Sequence, residues 1–556
     1  MPSRKRQDFL KVYLINPRFE PTIWSFDGLQ SITGTRFSTT PLGLVTVAAL
    51  TPAPWEVAIA DENVEKIDFS TDADLVGIGA FNVQYHRALK IAAEFKRRGK
   101  KVVFGGPYCS LFPEAFEGKG DHRVVGEAEE IWPEFLRDFE QGKARELYMA
   151  RQEKVDIRKS PVPRYDLIRG EHYNMFSLQT SRGCPFNCEF CDIIIMDGRV
   201  PRTKTVEQVI AEVDHCVKQG AHYVVFGDAN FIGNLPFARQ LLKALAVYSE
   251  KNNYPIEFSC ELTINVAHHP DLLELFQAAN FYSLFIGIES PRKESLIESG
   301  KVQNTREDVL EDIKRIQSYH LSVVAGMIIG FDADDKRIFK ETYDYLQELG
   351  IPFTTCGTLM ALPKTALAKR LEAEKRLLNS EWTTMNGHGS SDCNFIPKNM
   401  SLEEIHRGYN WLSRCLYRYD SYGDRLVKAL NRFRNRNKEH KRASLDLKFA
   451  VLLLKLLKYY LLTFDLQRVR FFLGTFWRVA WGGPFSVSKW LEFFRWIATH
   501  KAFREYVIMT QGIPEGQDPK RPPFDESVCE EKSPTFQNKD TVREAVEEEP
   551  VGANAP

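Results

Sequence analysis

The 556-residue chain has no surplus of charge: 74 Lys+Arg face 74 Asp+Glu. Holding nucleic acid by bulk charge needs an excess of cations to replace phosphate counterions, so no nucleic-acid partner is expected. Cysteine is scarce, 10 residues in all, which excludes a disulfide scaffold. The stretch 449–464 (FAVLLLKLLKYYLLTF) falls short of the roughly 20 apolar residues of a membrane span and carries Lys455 and Lys458. The first residues, Met-Pro-Ser-Arg-Lys-Arg, lead into a short β-rich run and not into the apolar core of a signal peptide. No Gly-x-Gly-x-x-Gly follows that run, which disfavours an ordinary dinucleotide-binding domain. A reducing, cytoplasmic setting is the default expectation. What is present is ordinary for a globular protein: 43% apolar and 27% charged residues. At roughly 150 residues per domain, the length suggests three or four domains.

Short apolar runs at 10–15, 57–60, 75–80 and 101–106 alternate with helical stretches at 41–50 and 86–98. Such runs read as strands of a parallel sheet covered on both faces. Residues 8–145 are therefore expected to form a doubly wound domain with ligands at the strand C-termini. Ser160-Pro-Val-Pro163 marks a linker at 146–175. Six further strands are expected at 176–180, 223–226, 257–261, 282–287, 322–329 and 354–361. Helices at 206–218, 236–251, 270–279, 306–318 and 337–349 separate them. This pattern predicts a partial (β/α)6 barrel over 176–375, with its site at the strand C-termini. A helical domain is expected at 376–510, and a disordered tail rich in Pro, Glu and Lys over 511–556. The fold class is α/β with a helical C-terminal domain.

The sharpest motif is Cys184-Pro-Phe-Asn-Cys188-Glu-Phe-Cys191. It follows a predicted strand, so it lies on a loop at a strand C-terminus. Three thiolates can ligate three irons of a [4Fe–4S] cluster and leave the fourth iron open. Zinc is the alternative, but structural zinc wants a closed set of four ligands, and His215 and Cys216 lie on a predicted helix at an unsuitable spacing.

The C-x3-C-x2-C loop, with Phe190 before its third cysteine, resembles the radical S-adenosylmethionine (SAM) superfamily. Later strand ends agree in order: Phe226-Gly-Asp228-Ala-Asn230, Glu261, Gly287-Ile-Glu289-Ser290 and Gly326-Met-Ile-Ile-Gly330. The resemblance implies SAM contacts for Asp228, Glu261, Glu289, Gly326 and Gly330, with Cys184, Cys188 and Cys191 on the cluster. Asp228 stands where Gly-Glu is commoner. A doubly wound domain before the loop resembles a cobalamin-binding domain, implying contacts from Pro41, Gly43, Gly105, Gly106, Gly126 and Glu127. Where many cobalamin proteins read Asp-x-His-x-x-Gly, this chain reads Asp61-Glu-Asn-Val-Glu-Lys66 and has no cobalt-ligating His. Ser160-Pro-Val-Pro-Arg-Tyr-Asp166, Asp197-Gly-Arg-Val-Pro-Arg-Thr-Lys-Thr205 and Ala361-Leu-Pro-Lys-Thr365 are similar to the branch containing the hopanoid C-2 methylases.

That branch implies a cobalamin-dependent C-methyltransferase acting on an unactivated carbon, with a [4Fe–4S] cluster, SAM and cobalamin as cofactors. It also implies a reductant such as flavodoxin or ferredoxin. A hopanoid or other isoprenoid lipid is one expected substrate class. Oxidation or rearrangement of a tetrapyrrole without methyl transfer is the alternative. In the C-terminal region, Arg468, Arg470 and Arg478 interleave with Phe471, Phe472, Phe476, Trp477 and Trp481. That pattern is read first as the core of a helical domain. Its second reading is a surface for a greasy substrate or for peripheral contact at the inner membrane.

Overall fold

The computed structural model describes residues 10–22, 27–151, 153–305, 308–378, 393–433, 447–482 and 487–511. The expected tail beyond 511 and most of the basic stretch at 432–442 lie outside them. The first strands are β1 (Lys11–Asn16), β2 (Phe37–Thr39), β3 (Glu56–Asp61), β4 (Leu75–Gly79), β5 (Lys101–Gly105), β6 (His122–Val125) and β7 (Leu147–Met149). All but β2 form one parallel sheet in the order β3-β1-β4-β5-β6-β7. Alternation sends Val12 and Leu14 to one face, against Val45, Ala48, Trp132 and Phe135. Tyr13 and Ile15 pack on the other, with Ala88, Ile91 and Phe95 of the helix Tyr85–Arg97. The sheet is thus doubly wound, and strand order reverses between β1 and β4, where such folds open a ligand crevice.

The second half continues with β8 (Tyr173–Leu178), β9 (Ser181–Arg182), β10 (Arg202–Thr203), β11 (Tyr223–Phe226), β12 (Glu257–Leu262), β13 (Phe281–Glu289), β14 (Ser322–Ile329) and β15 (Phe353–Thr358). Seven strands make a parallel sheet, β15-β14-β13-β12-β11-β8-β2. Every residue of β14 is buried, as befits a sheet covered by helices outside and filled within. Helices Val206–Lys218, Leu235–Lys251, Pro270–Ala278, Val309–Ser318 and Ile338–Leu349 make the crossovers. Thr205, Asn234 and Asp308 cap three of them by accepting backbone N–H bonds.

The barrel differs from the six expected strands by one. Phe37 and Thr39, far upstream, pair with Tyr173 and Met175 on the free edge of β8. A three-residue strand has no readable period, and its partner lies more than 130 residues away. An open barrel edge nevertheless needs backbone partners. The linker expected at 146–175 is likewise partly consumed, because β7 completes the first sheet.

The C-terminal helices pack along the edge strand β15 and across the barrel floor. Tyr409 and Tyr417 donate hydroxyls to the Cys356 and Thr354 carbonyls at 3.1 and 2.7 Å, along β15. The fully buried Arg425 donates to the Ile351 carbonyl at 2.8 Å. The helix Val487–Gln511 crosses the barrel floor: Trp496 Nε1 donates to Ser322 Oγ at 3.1 Å, and Arg495 meets Glu257 at 2.5 Å. Ser322 and Glu257 are the first residues of β14 and β12. Tyr422, Tyr460, Phe471 and His500 stack in the helical core. Burial pushes His500 down to about 3, so it stays neutral. The buried aromatic residues of this region therefore fill a core and seal the floor.

Candidate active site

The cysteine loop is shaped by its own backbone. After β8 the chain forms a two-residue ribbon, β9 against β10, pairing Arg182 with Arg202 and Ser181 with Thr203. The loop between closes at Gly183, whose φ is +100°. A Cβ at Gly183 would lie 2.7 Å from the Val200 carbonyl oxygen, so glycine alone fits. Cys184 N–H donates to the Gly198 carbonyl at 3.2 Å, and Cys191 N–H to the Cys188 carbonyl at 3.2 Å. Glu189 ties the loop to the barrel: its N–H donates to the Ser299 carbonyl at 2.9 Å and its carboxylate pairs with Arg370 at 2.7 Å. Phe190 packs edge-on against Phe331, ring centres 6.1 Å apart.

All three thiols are free. Burial, ahead of the neighbouring charges, pushes Cys188 up and Cys191 up to about 12. Without metal these two are thiols, and metal binding must displace their protons. Lys301 lies close enough to Cys188 and Cys191 for its charge to be felt by both. Lys301 also forms a 2.7 Å pair with Glu289. The Glu289 backbone is left-handed, φ +71°, beside a bulge where β13 slips against β14 between Gly287 and Glu289. Bulges re-aim side chains, and this one turns Glu289 onto Lys301. A Cβ at Gly287 would sit 2.3 Å from the Glu289 carboxylate and 2.9 Å from Lys301 Nζ. Among the described residues no three His, Cys, Asp or Glu side chains converge on a point for one metal ion. Three free thiols in a cradle fixed by glycines, with a cation nearby, suit an iron–sulfur cluster.

The strand ends take unequal roles. Asp228, expected as a SAM contact, is wholly buried and spent on the loop. Its Oδ1 accepts the N–H groups of Thr180 and Ser181 at 2.6 and 2.9 Å, and its Oδ2 accepts the Thr180 hydroxyl. Its position is that of a brace for the cysteine loop. Gly330 (φ +107°) turns the chain after β14 and donates its N–H to Asp334 at 2.8 Å. Gly326 lies flat beside Gly287 in the paired strand, with the Phe285 ring 3.1 Å from where its Cβ would be. Glu261 is different. Its neighbours Cys260 and Leu262 are buried on the outer face, so alternation points Glu261 into the lumen. It is water-accessible there yet enclosed by protein, and burial with the nearby Asp228 raises its carboxyl to about 7. Asn230, two residues beyond Asp228, is buried with its side-chain oxygen unpaired. A free carboxyl and an orphaned amide oxygen are fitting acceptors for the ammonium or ribose hydroxyls of SAM.

The C-terminal edge of the first sheet turns toward this loop. Gly106 has φ +89°, and a Cβ on it would lie 2.8 Å from the Ala80 nitrogen. Gly105 and Gly106 thus keep backbone close at the ends of β4 and β5, while Gly43 has nothing within 4 Å of its Cβ position. Pro41 starts the helix Leu42–Leu50 just after Thr40, which accepts the Ser177 N–H of β8 at 3.0 Å. Asp61 accepts the Tyr173 hydroxyl at 2.9 Å and the Asn63 N–H at 2.9 Å, and no imidazole stands there. Glycine-lined backbone at the strand ends, without a His ligand, suits a broad flat cofactor. Gly126 (φ +100°) ends β6. Glu127, expected to touch cobalamin, instead accepts from Arg182 at 2.7 Å and from Arg202 at 2.9 Å, while Glu129 takes the other arm of Arg182 at 2.7 Å. Lys301 and this four-residue network could not be read along the chain, because each carboxylate lies tens of residues from its arginine.

Known proteins place this geometry. Residues 178–346 match the model of the radical SAM superfamily, and 365–512 match a domain of unknown function, DUF4070. An uncharacterized methyltransferase of Synechocystis is 37% identical over 420 residues, 75% of this chain and 78% of that protein. The chain belongs to the radical SAM superfamily. The hopanoid C-2 methylase of Rhodopseudomonas palustris is 34% identical to this radical SAM chain over 349 residues, 61% of this chain and 66% of that one. The cobalamin-dependent SAM radical enzyme OxsB superposes with a TM-score of 0.57 at 16% identity, covering 92% of this chain and 82% of that one. The fold of this radical SAM enzyme is therefore that of cobalamin-dependent members of the superfamily.

Proposed function

We propose that this radical SAM enzyme is a cobalamin-dependent C-methyltransferase acting on an unactivated carbon of a small, hydrophobic substrate, with an isoprenoid lipid such as a hopanoid as the favoured class. The observation that carries the reading is the meeting of two strand-end faces. Ile328, Phe331, Leu359 and Met360 above the barrel share one apolar cluster with Tyr108, Cys109 and Phe116 of the first domain. The cysteine loop lies between, latched by Arg182 to Glu127.

Cys184, Cys188 and Cys191 would hold the [4Fe–4S] cluster, Glu261 and Asn230 would orient SAM, and Gly105, Gly106 and Gly126 would seat cobalamin. When bound, these cofactors supply a carbon radical and a transferable methyl group, chemistry that no side chain here can offer. The protein binds, orients and excludes water. Its apolar cluster at the junction keeps the reacting carbon dry, and Lys301 balances the negative charge of the sulfur ligands. A reductant such as flavodoxin or ferredoxin would supply electrons. The similarity to a hopanoid methylase supports the lipid class.

The test is turnover with methyl-labelled SAM on lipid extracts. Label in a lipid, together with 5′-deoxyadenosine, supports the proposal. 5′-Deoxyadenosine without label in any product favours the reaction without methyl transfer.

A further inference from the structure

The helices Leu447–Leu461 and Leu466–Trp481 form an antiparallel pair, and each buries only one face. Leu456, Tyr460, Phe472 and Val479 are buried in the helical core. The opposite faces are not polar. Phe464, at the tip joining the helices, is fully exposed, with Leu462 at 79% and Trp481 at 82%. Leu466, Leu473, Trp477 and Trp481 repeat at i, i+7, i+11 and i+15, a stripe along one side of the second helix. An exposed apolar stripe of this extent on a folded surface marks a contact site.

Basic residues outnumber acidic ones along the helix pair. Between residues 450 and 482 the only carboxylate is Asp465, against Lys455, Lys458, Arg468, Arg470 and Arg478. Asp465 is spent locally: it caps the second helix, accepting the Gln467 N–H at 2.9 Å, and pairs with Arg468 at 3.1 Å. Beside the apolar stripe a groove of about 440 Å³ opens between this helix and Tyr419–Asn431. Arg470 lines it, with Arg418 paired to Asp420 and Arg478 to Asp424, the latter at 2.6 Å. Gly423 permits the close approach, since a Cβ there would lie 2.9 Å from Thr475 Oγ1.

We propose that this helix pair docks on the surface of an anionic phospholipid bilayer, with Phe464 and the tryptophans among the acyl chains and the exposed Lys458 and Arg470 at lipid phosphates. Two exposed tryptophans, aliphatic residues and basic residues on one face are what an interfacial helix pair needs, and anionic lipid rewards each nearby Lys or Arg. A second copy of this chain fits less well, because a two-fold contact would set two basic faces against each other. Among the described residues no helix is long and apolar enough to cross a membrane, so the contact is peripheral. It does not depend on which substrate is methylated.

The test uses the full-length, cluster-loaded protein with sedimenting vesicles. Phosphatidylcholine vesicles containing about a quarter phosphatidylglycerol should pull the protein down, and pure phosphatidylcholine should do so about tenfold less well. Phe464→Ser/Trp481→Ser should lose about tenfold in binding while keeping its helical circular dichroism and its 5′-deoxyadenosine formation. Arg470→Glu should weaken binding to the anionic vesicles alone. Wild-type protein that stays in the supernatant overturns the proposal, and so does an unchanged double variant. Self-association of the wild type that the double variant abolishes, without vesicle binding, assigns the face to a second copy.

Discussion

Arg182, two residues before the first cysteine of the loop, donates to the carboxylate of Glu127 at the end of β6 at 2.7 Å. Its second arm meets Glu129, also at 2.7 Å. Burial disfavours all these charges. For Glu129 the Arg182 guanidinium outweighs burial and holds the carboxyl below its usual range. The same ion network joins two domains and sets the stance of the cysteine loop between them.

Breaking a buried network by removing one partner leaves a charge stranded, at a cost of about 3–5 kcal/mol. Arg182→Met should therefore lower stability by about that much in urea unfolding of the cofactor-free protein. Glu127→Gln should also destabilise, since it keeps Arg182 paired with Glu129 but takes the carboxylate from Arg202. An Arg182→Met midpoint equal to wild type would mean that the latch contributes no stability.

Asp228 tests bracing against direct ligation. Its carboxylate holds Thr180 and Ser181, so Asp228→Asn should reduce iron after anaerobic reconstitution well below about four per chain. Full iron content with weakened SAM binding would instead place Asp228 on the ligand.

Glu261 gives a pH signature. Its carboxyl titrates near 7 in the folded chain, against an ordinary value of 4.5. A raised carboxyl pKa means that the folded state holds the proton more tightly. That contribution is fully present below the ordinary value and is lost as pH rises through the folded one. Glu261→Gln cannot titrate, so near pH 8 it should melt at a higher temperature than wild type. Below about pH 4.5 the two should converge. Scanning calorimetry of the cofactor-free proteins across this range decides, and parallel curves would refute the assignment.

Gly183→Ala should cost about 2 kcal/mol through left-handed backbone alone, with a further clash at the Val200 carbonyl. The expected result is normal secondary structure by circular dichroism with a diminished visible absorbance of the cluster after reconstitution.

Much of the fold could be read along the chain. The strands at 223–226 and 322–329 and the helix at 206–218 have the expected bounds, because continuous apolar runs and a Thr205–Gln208 capping box are local signals. The cysteine motif is local too: its spacing and its place after a strand depend on eight consecutive residues. β2 escaped, because Phe37–Thr39 becomes a strand only when β8 offers an edge. Glu127 and Asp228 were expected to touch cofactors, since a strand-end carboxylate looks the same whether it faces a ligand or an arginine. The aromatic C-terminal stretch held two messages at once: Tyr460 and Phe471 are core, while Phe464 and Trp481 are surface.

Thiol spacing, glycines at turns and hydrophobic period are properties of neighbouring residues, so the cysteine motif and most of the strands are legible along the chain. Which charges meet is settled by the folded chain. Lys301 finds Glu289, and Arg182 finds Glu127, across separations that carry no local pattern. The pairs form because burial makes an unpaired charge too costly to keep, a constraint that exists only once the chain is folded.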